Sequence, residues 1–160
     1  MVSLNYRNLN ADDFPMMHEM ASDWSIVRQL GRWPWPSDPD HTMSRCKPYE
    51  GAGFVWAILE GDVFCGSVAV TGDELGYALH PNAAGRGIMT RAARDAITHA
   101  FATTDLDQIT ASVWADNIGS QKVLGKLGFL PYRTAFERSF PRRMPVLSHY
   151  YRLKRDDWMS

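Results

Sequence analysis

HPNAAGRGIMTRAARDA, residues 80–96, decides how this chain is read. The apolar run ELGYAL (74–79) leads into it, and Gly85 and Gly87 flank Arg86. Beyond the glycines, Met89, Ala93, Ile97 and Ala100 recur at helical spacing. The local order is therefore strand, tight turn, helix. A second strand-like run covers 107–115. Strand, helix, strand implies a parallel crossover, so this helix joins two parallel strands.

Working outward, the remaining strands read as antiparallel. Apolar runs at 53–59 and 63–70 are separated by EGD, and TGD separates the latter from a strand at 74–80. Such turns between apolar runs are hairpin signals, and they predict three consecutive antiparallel strands. Residues 2–9 alternate loosely as a first strand. Asn10 is placed to cap a helix ending near residue 22, with Asp12 and Asp13 at its positive end. A short helix is expected over 24–30. Downstream, a helix over 117–127 stops at Gly128-Phe129, and strands follow near 130–137 and 146–154. The order β-α-α-β-β-β-α-β-α-β-β gives a mixed, mostly antiparallel α+β sheet in one domain over 1–160.

Between the second helix and the hairpins lies GRWPWPSDPD (31–40), whose three prolines exclude a regular helix or central strand. Trp33 and Trp35 read two ways. They are either indoles capping the core or a wall of a ligand cleft, the latter suiting an acceptor with some apolar body.

Composition narrows the function classes. Of 160 residues, 45% are hydrophobic and 22% charged, and the net charge is −1. That balance offers no basic excess for nucleic acid or an anionic membrane. Cys46 and Cys65 form neither a zinc signature nor a disulfide framework, and no second pair joins His41 and Cys46, so no metal site is expected. MVSLNYRNLNADDF lacks a signal pattern, and no apolar run approaches the roughly 18 residues of a membrane span. A cytoplasmic protein, monomer or homodimer, is the expectation.

The Gly-Arg-Gly turn points to an anion. A helix start offers unpaired N–H groups and partial positive charge, and glycines remove the side chains that would hold an anion away. Residues 85–90 can thus grip phosphate, or form a plain tight turn. A P-loop needs a lysine that IMT (88–90) lacks. A dinucleotide fingerprint needs a third glycine where Thr90 stands, although Asp105 and Asp107 lie where that motif wants its acid. The diphosphate of coenzyme A is the third reading.

The ordered set ELGYALHP (74–81), GRG (85–87), NIGS (117–120) and VLGKLGF (123–129) resembles the GNAT acetyltransferase superfamily. It is most similar to the branch that acetylates ribosomal-protein N-termini and to relatives acting on small amines. LNYRNL (4–9), HYYRL (149–153) and Asp157-Trp158 fit that branch's ends. One departure is Asn82, where the signature often has Gln or Arg.

This resemblance implies acetyl transfer from acetyl-CoA to a primary amine, by direct attack in a ternary complex, on a GNAT-like fold of about seven strands with a splayed parallel pair and helices on both faces. It places the diphosphate on Gly85, Arg86, Gly87, Ile88, Met89 and Thr90, and the pantetheine on backbone at Ala78, Leu79 and His80 with Asn117 and Ser120. The Leu79 N–H is the expected oxyanion donor. Glu74 is the first candidate base, with Asp116 second; Ser120 matches the position of a proton donor, with Tyr132 an alternative; Trp33 and Trp35 are expected against the acceptor. A lysine-like ammonium of pKa ~10.4 costs roughly 4–5 kcal/mol to neutralise at pH 7, an α-amine of pKa ~8 about 1.4 kcal/mol. A positioned carboxylate acting through water meets that need. A thiolate whose parent has pKa ~8.5 leaves without a strong acid. Two rivals remain: a non-catalytic acyl-CoA-binding sensor, and a dinucleotide-dependent enzyme.

Overall fold

The computed structural model describes residues 3–159; Val2, where the first strand was expected to begin, lies outside them. Seven strands form one sheet among the described residues: β1 (Leu4–Asn8), β2 (Gly53–Glu60), β3 (Val63–Thr71), β4 (Glu74–Leu79), β5 (Gln108–Trp114), β6 (Leu130–Ser139) and β7 (Met144–Lys154), in the order β1-β2-β3-β4-β5-β7-β6. Every neighbouring pair is antiparallel except β4 and β5. The helices are α1 (Phe14–Ala21), α2 (Trp24–Val27), α3 (Pro39–Arg45), α4 (Ile88–Thr103), α5 (Ile118–Lys126) and α6 (Arg155–Met159).

Strand alternation sorts the core onto the two faces of the sheet. Val68, Val70, Leu75, Ile109, Ala111 and Val113 pack on one face with α4 and with Leu124 of α5. Met89, Ala93, Ile97 and Ala100, the predicted stripe, are buried there. Ala57 and Phe64 face the other way, against Leu9, Met17, Met20 and Cys46. Helices thus cover both faces, as expected.

Two helices were not expected. Pro39 does not forbid α3 but starts it: the Asp38 side chain caps the helix by accepting from the Asp40 N–H, and proline suits the first turn because its missing donor would be unpaired there anyway. At the far end, α6 is pinned by Arg155, whose guanidinium donates to the carbonyls of Phe101, Thr104 and Leu106. The expected stop of α5 is present: Gly128 has φ 91° and the Phe129 N–H returns to the Leu124 carbonyl.

The decisive feature is the junction of β4 and β5. They pair at one position, Glu74 with Thr110, and the Thr110 N–H donates to the Asp73 carbonyl. Beyond it, no register pair joins them among the described residues, and the sheet is split.

Candidate active site

The backbone of β4 shows what the split exposes. The His80 N–H donates to the Cys65 carbonyl of β3, while the Asp73 carbonyl faces β5. Because successive peptide groups point to opposite sides, Leu75 aims its N–H at β5 where the two strands are joined, and beyond that point Tyr77 and Leu79 aim theirs into the gap. Ala78 and His80 aim theirs at β3; Ala78 stands opposite Ser67. This corrects the expectation that the backbone of Ala78 to His80 is available as a unit. Leu79 and Tyr77 carry the free edge.

The gap leads to the Gly-Arg-Gly turn. Gly85 and Gly87 have φ 77° and 72°, left-handed values that side chains rarely adopt. Gly87 occupies the cap position of α4 with no side-chain cap, and the first carbonyl bonded back is its own, accepting from the Arg91 N–H. Among the described residues, no hydrogen bond engages the N–H groups of Gly85 to Thr90. A Cβ built on either glycine meets no atom within 4 Å. These glycines are required by backbone conformation, and the space before them is open. The side chains of Ile88 and Met89 are buried, so only their backbone faces the turn.

Arg86 does not turn its charge to that space. Its Nη1 lies 2.8 and 3.0 Å from the two Glu60 carboxylate oxygens, and Nη2 donates to the Asn82 carbonyl. The Arg86 guanidinium is thus paired with Glu60 rather than free.

Across the gap, Asn117 caps α5 by accepting from the Ser120 N–H at 3.2 Å. Ser120 Oγ is 2.5 Å from the Tyr77 hydroxyl, a contact that spans from β4 to the first turn of α5. Burial pushes the Tyr77 phenol pKa up, against the opposing pull of the Ser120 hydrogen bond, and keeps it protonated at neutral pH. Tyr77 stands inside ELGYALHP, yet no local signal marks it, because its partner is 43 residues away. Tyr132, the alternative donor, instead packs near Tyr150 and under the Arg152 guanidinium.

On the α1 side of β4, Glu74, Gly76, Ala78 and His80 form one row. Glu74 is exposed, and no hydrogen bond or ion pair engages it among the described residues. At the other end, His80 Nδ1 accepts from the Asn82 N–H, which places its proton on Nε2, 2.6 Å from Glu19 Oε2. Both ring nitrogens are occupied, so His80 ties α1 to the end of β4 and offers no free lone pair. Asp116, the second candidate base, is committed too: Arg142 holds it at 2.7 and 3.0 Å and Arg28 at 2.8 Å. The Arg142 hydrogen bond, with the attraction of both arginines, outweighs desolvation and lowers the Asp116 pKa.

Between these ends lies a cavity of about 140 Å³, lined by Met17, Met20 and Ala21 of α1, by Leu30 and Trp33, and by β3 and the Gly76–Ala78 segment. Trp33 is in its wall. Trp35 is not: its ring packs against Trp24, and its carbonyl accepts from Arg143. Cys46 donates to the Thr42 carbonyl while His41 packs edge-on against Trp33, so the two do not converge.

A sheet divided between two parallel strands, with a glycine-opened helix start at the mouth, is the architecture that the sequence resemblance implied. Comparison agrees: the sequence matches the acetyltransferase (GNAT) domain family over residues 3–130. The chain belongs to the GNAT acetyltransferase family. It is 27% identical over 150 residues to YjdG of Bacillus subtilis (strain 168), described as an uncharacterized N-acetyltransferase, covering 81% of this chain and 89% of the relative. Among solved structures, spermidine N-acetyltransferase from Vibrio cholerae, in complex with CoA and spermine, has TM-score 0.81 at 15% identity and covers 98% of each chain. RimL, a ribosomal L7/L12 alpha-N-protein acetyltransferase in complex with coenzyme A, has TM-score 0.79 at 17% identity, again over 98% of each chain.

Proposed function

We propose that this protein transfers an acetyl group from acetyl-CoA to a primary amine, with both substrates bound together. The observation that carries the proposal is the free run of backbone donors: gap-facing amides on β4 leading to the unpaired N–H groups of residues 85–90. The residues present suit the carrier. Open space lies before Gly85 and Gly87, and the amides there match an anion at a helix start. The diphosphate takes that turn, and the pantetheine lies in the gap beside Tyr77, Leu79 and Asn117.

The chemistry follows from the row on β4. Glu74, unpaired and two residues from Gly76, accepts the ammonium proton through water. The amine then attacks the thioester carbonyl, whose developing negative charge the Leu79 N–H stabilises. As the C–S bond breaks, Ser120 gives its proton to the sulfur, and the attacking nitrogen loses its second proton to water. Tyr77, held protonated 2.5 Å from Ser120 Oγ, passes its own proton to the serine as that proton leaves and is reprotonated from water. The acceptor approaches from the α1 side, past Trp33.

A thiol-release assay with acetyl-CoA and a panel of peptides and small amines tests the proposal. Amine-dependent thiol release, with the acetamide seen by mass spectrometry, is expected. Tight acetyl-CoA binding with no turnover on any amine would favour a sensor instead.

A further inference from the structure

Gly76 is a glycine with no backbone reason to be one. It lies inside β4, away from the positive-φ region, where glycine weakens a strand. A Cβ added to it meets nothing within 4 Å, in contrast to Gly66 on the neighbouring strand, where the Ala78 carbonyl would stand 2.2 Å away. Gly66 is required by a close backbone approach; Gly76 is not. Its missing side chain leaves room, and that room belongs to the cavity under Met17, Met20, Leu30 and Trp33. Ala69, directly opposite Gly76 on β3, is small as well and lines the same space.

Among the described residues, the cavity wall contains no carboxylate and no cation. Glu74 stands at one end of the row, and Glu19 at the other is bound to His80. A polyamine would have to place a second ammonium against methionine, leucine and indole, with no carboxylate to pair it; burying an unpaired charge is strongly unfavourable. An apolar group there removes hydrocarbon from water.

Resting on the transferase reading above, we infer that Gly76 and Ala69 open a subsite for an apolar, uncharged substituent of the acceptor amine. The acceptor is then an amine with a hydrophobic group near its nitrogen, and not a polyamine. That chemistry occurs in hydrophobic N-terminal residues and in apolar small amines.

The test measures kcat/KM with leucinamide, phenethylamine, a leucine-initiated tripeptide, glycinamide and spermidine, for the native chain and Gly76→Val. The apolar amines are expected to exceed glycinamide and spermidine at least tenfold. Gly76→Val should erase that preference while acetyl-CoA affinity stays within twofold and Tm does not fall, since valine suits an open strand position. Ala69→Leu fills the same space from the facing strand and should give the same loss if Gly76→Val proves unstable. A tripeptide much better than leucinamide assigns the subsite to protein N-termini, and parity assigns it to small amines; either result supports the apolar class. Equal or better use of spermidine or glycinamide, or an intact preference in both filled variants, overturns the inference while leaving the transferase reading standing. Acetyl-CoA binding without turnover on any amine overturns both.

Discussion

Replacing Gly87 by valine separates the carrier-binding role of the turn from its role in the fold. Gly87 has φ 72° and ψ 11°. A valine held in that left-handed region is strained by about 1–3 kcal/mol. No clash adds to this, because a Cβ at residue 87 meets nothing within 4 Å. Against a typical stability of roughly 5–15 kcal/mol the variant remains folded. Its side chain, however, grows into the open space at the helix start, and relief of strain turns the amides away. Hydrogen bonds to a charged group contribute about 1.5–3 kcal/mol each, so losing two costs about 3–6 kcal/mol, or ~10²- to 10⁴-fold in Kd. Gly61→Val is the matched control: Gly61 has φ 61° and the same open surroundings, in the β2–β3 turn. Isothermal calorimetry with acetyl-CoA, alongside thermal unfolding, reads both effects. Similar Tm losses with affinity lost only in Gly87→Val are expected. Equal acetyl-CoA affinity in the two variants would refute the reasoning.

Four further outcomes are expected. Asn117→Ala removes the α5 cap and about 1 kcal/mol of stability, and it raises the KM for acetyl-CoA further than that loss explains; an unchanged KM removes Asn117 from the site. Tyr77→Phe should lower kcat about tenfold with the KM for acetyl-CoA within twofold; an unchanged kcat shows that Ser120 needs no partner. Glu74→Gln should lower kcat/KM by about 10²- to 10⁴-fold with the KM for acetyl-CoA within twofold, and an unchanged kcat/KM excludes Glu74 as base. Asp116 has a folded pKa below its ordinary value, so its pair with Arg142 and Arg28 stabilises the fold at pH above about 4 and loses that contribution as the pH falls through the lowered folded pKa. Asp116→Asn should therefore flatten the fall of Tm on acidification, and an unaltered slope would contradict this.

The parts of the site legible in the sequence are those fixed by local backbone physics. Gly85 and Gly87 announce a tight turn open to close approach because they carry no side chains, and the Met89–Ala100 stripe announces a buried helix because spacing alone places it on one face. Asn117 was readable as a cap from its place before a helical pattern. What the sequence concealed depends on partners far along the chain. Arg86 is claimed by Glu60, His80 by Glu19, Asp116 by Arg142, and Ser120 by Tyr77. Trp33 and Trp35 read alike as a pair, yet only Trp33 reaches the cavity. The alternation that turns Leu79 toward the gap and Ala78 away from it needs the pairing register, which single-strand patterns do not carry. Pro39 misled because its meaning depends on position: a breaker inside a helix, it is favoured at a first turn.

The central claim concerns the main-chain amides at the start of α4, and backbone amide NMR addresses them one at a time. Titration with coenzyme A should move the N–H resonances of Gly85, Gly87, Ile88 and Met89 strongly, while pantetheine, which has no diphosphate, should move those of Tyr77 and Leu79 and leave the turn unmoved. Coenzyme A binding that leaves the resonances of residues 85–90 in place would contradict the account.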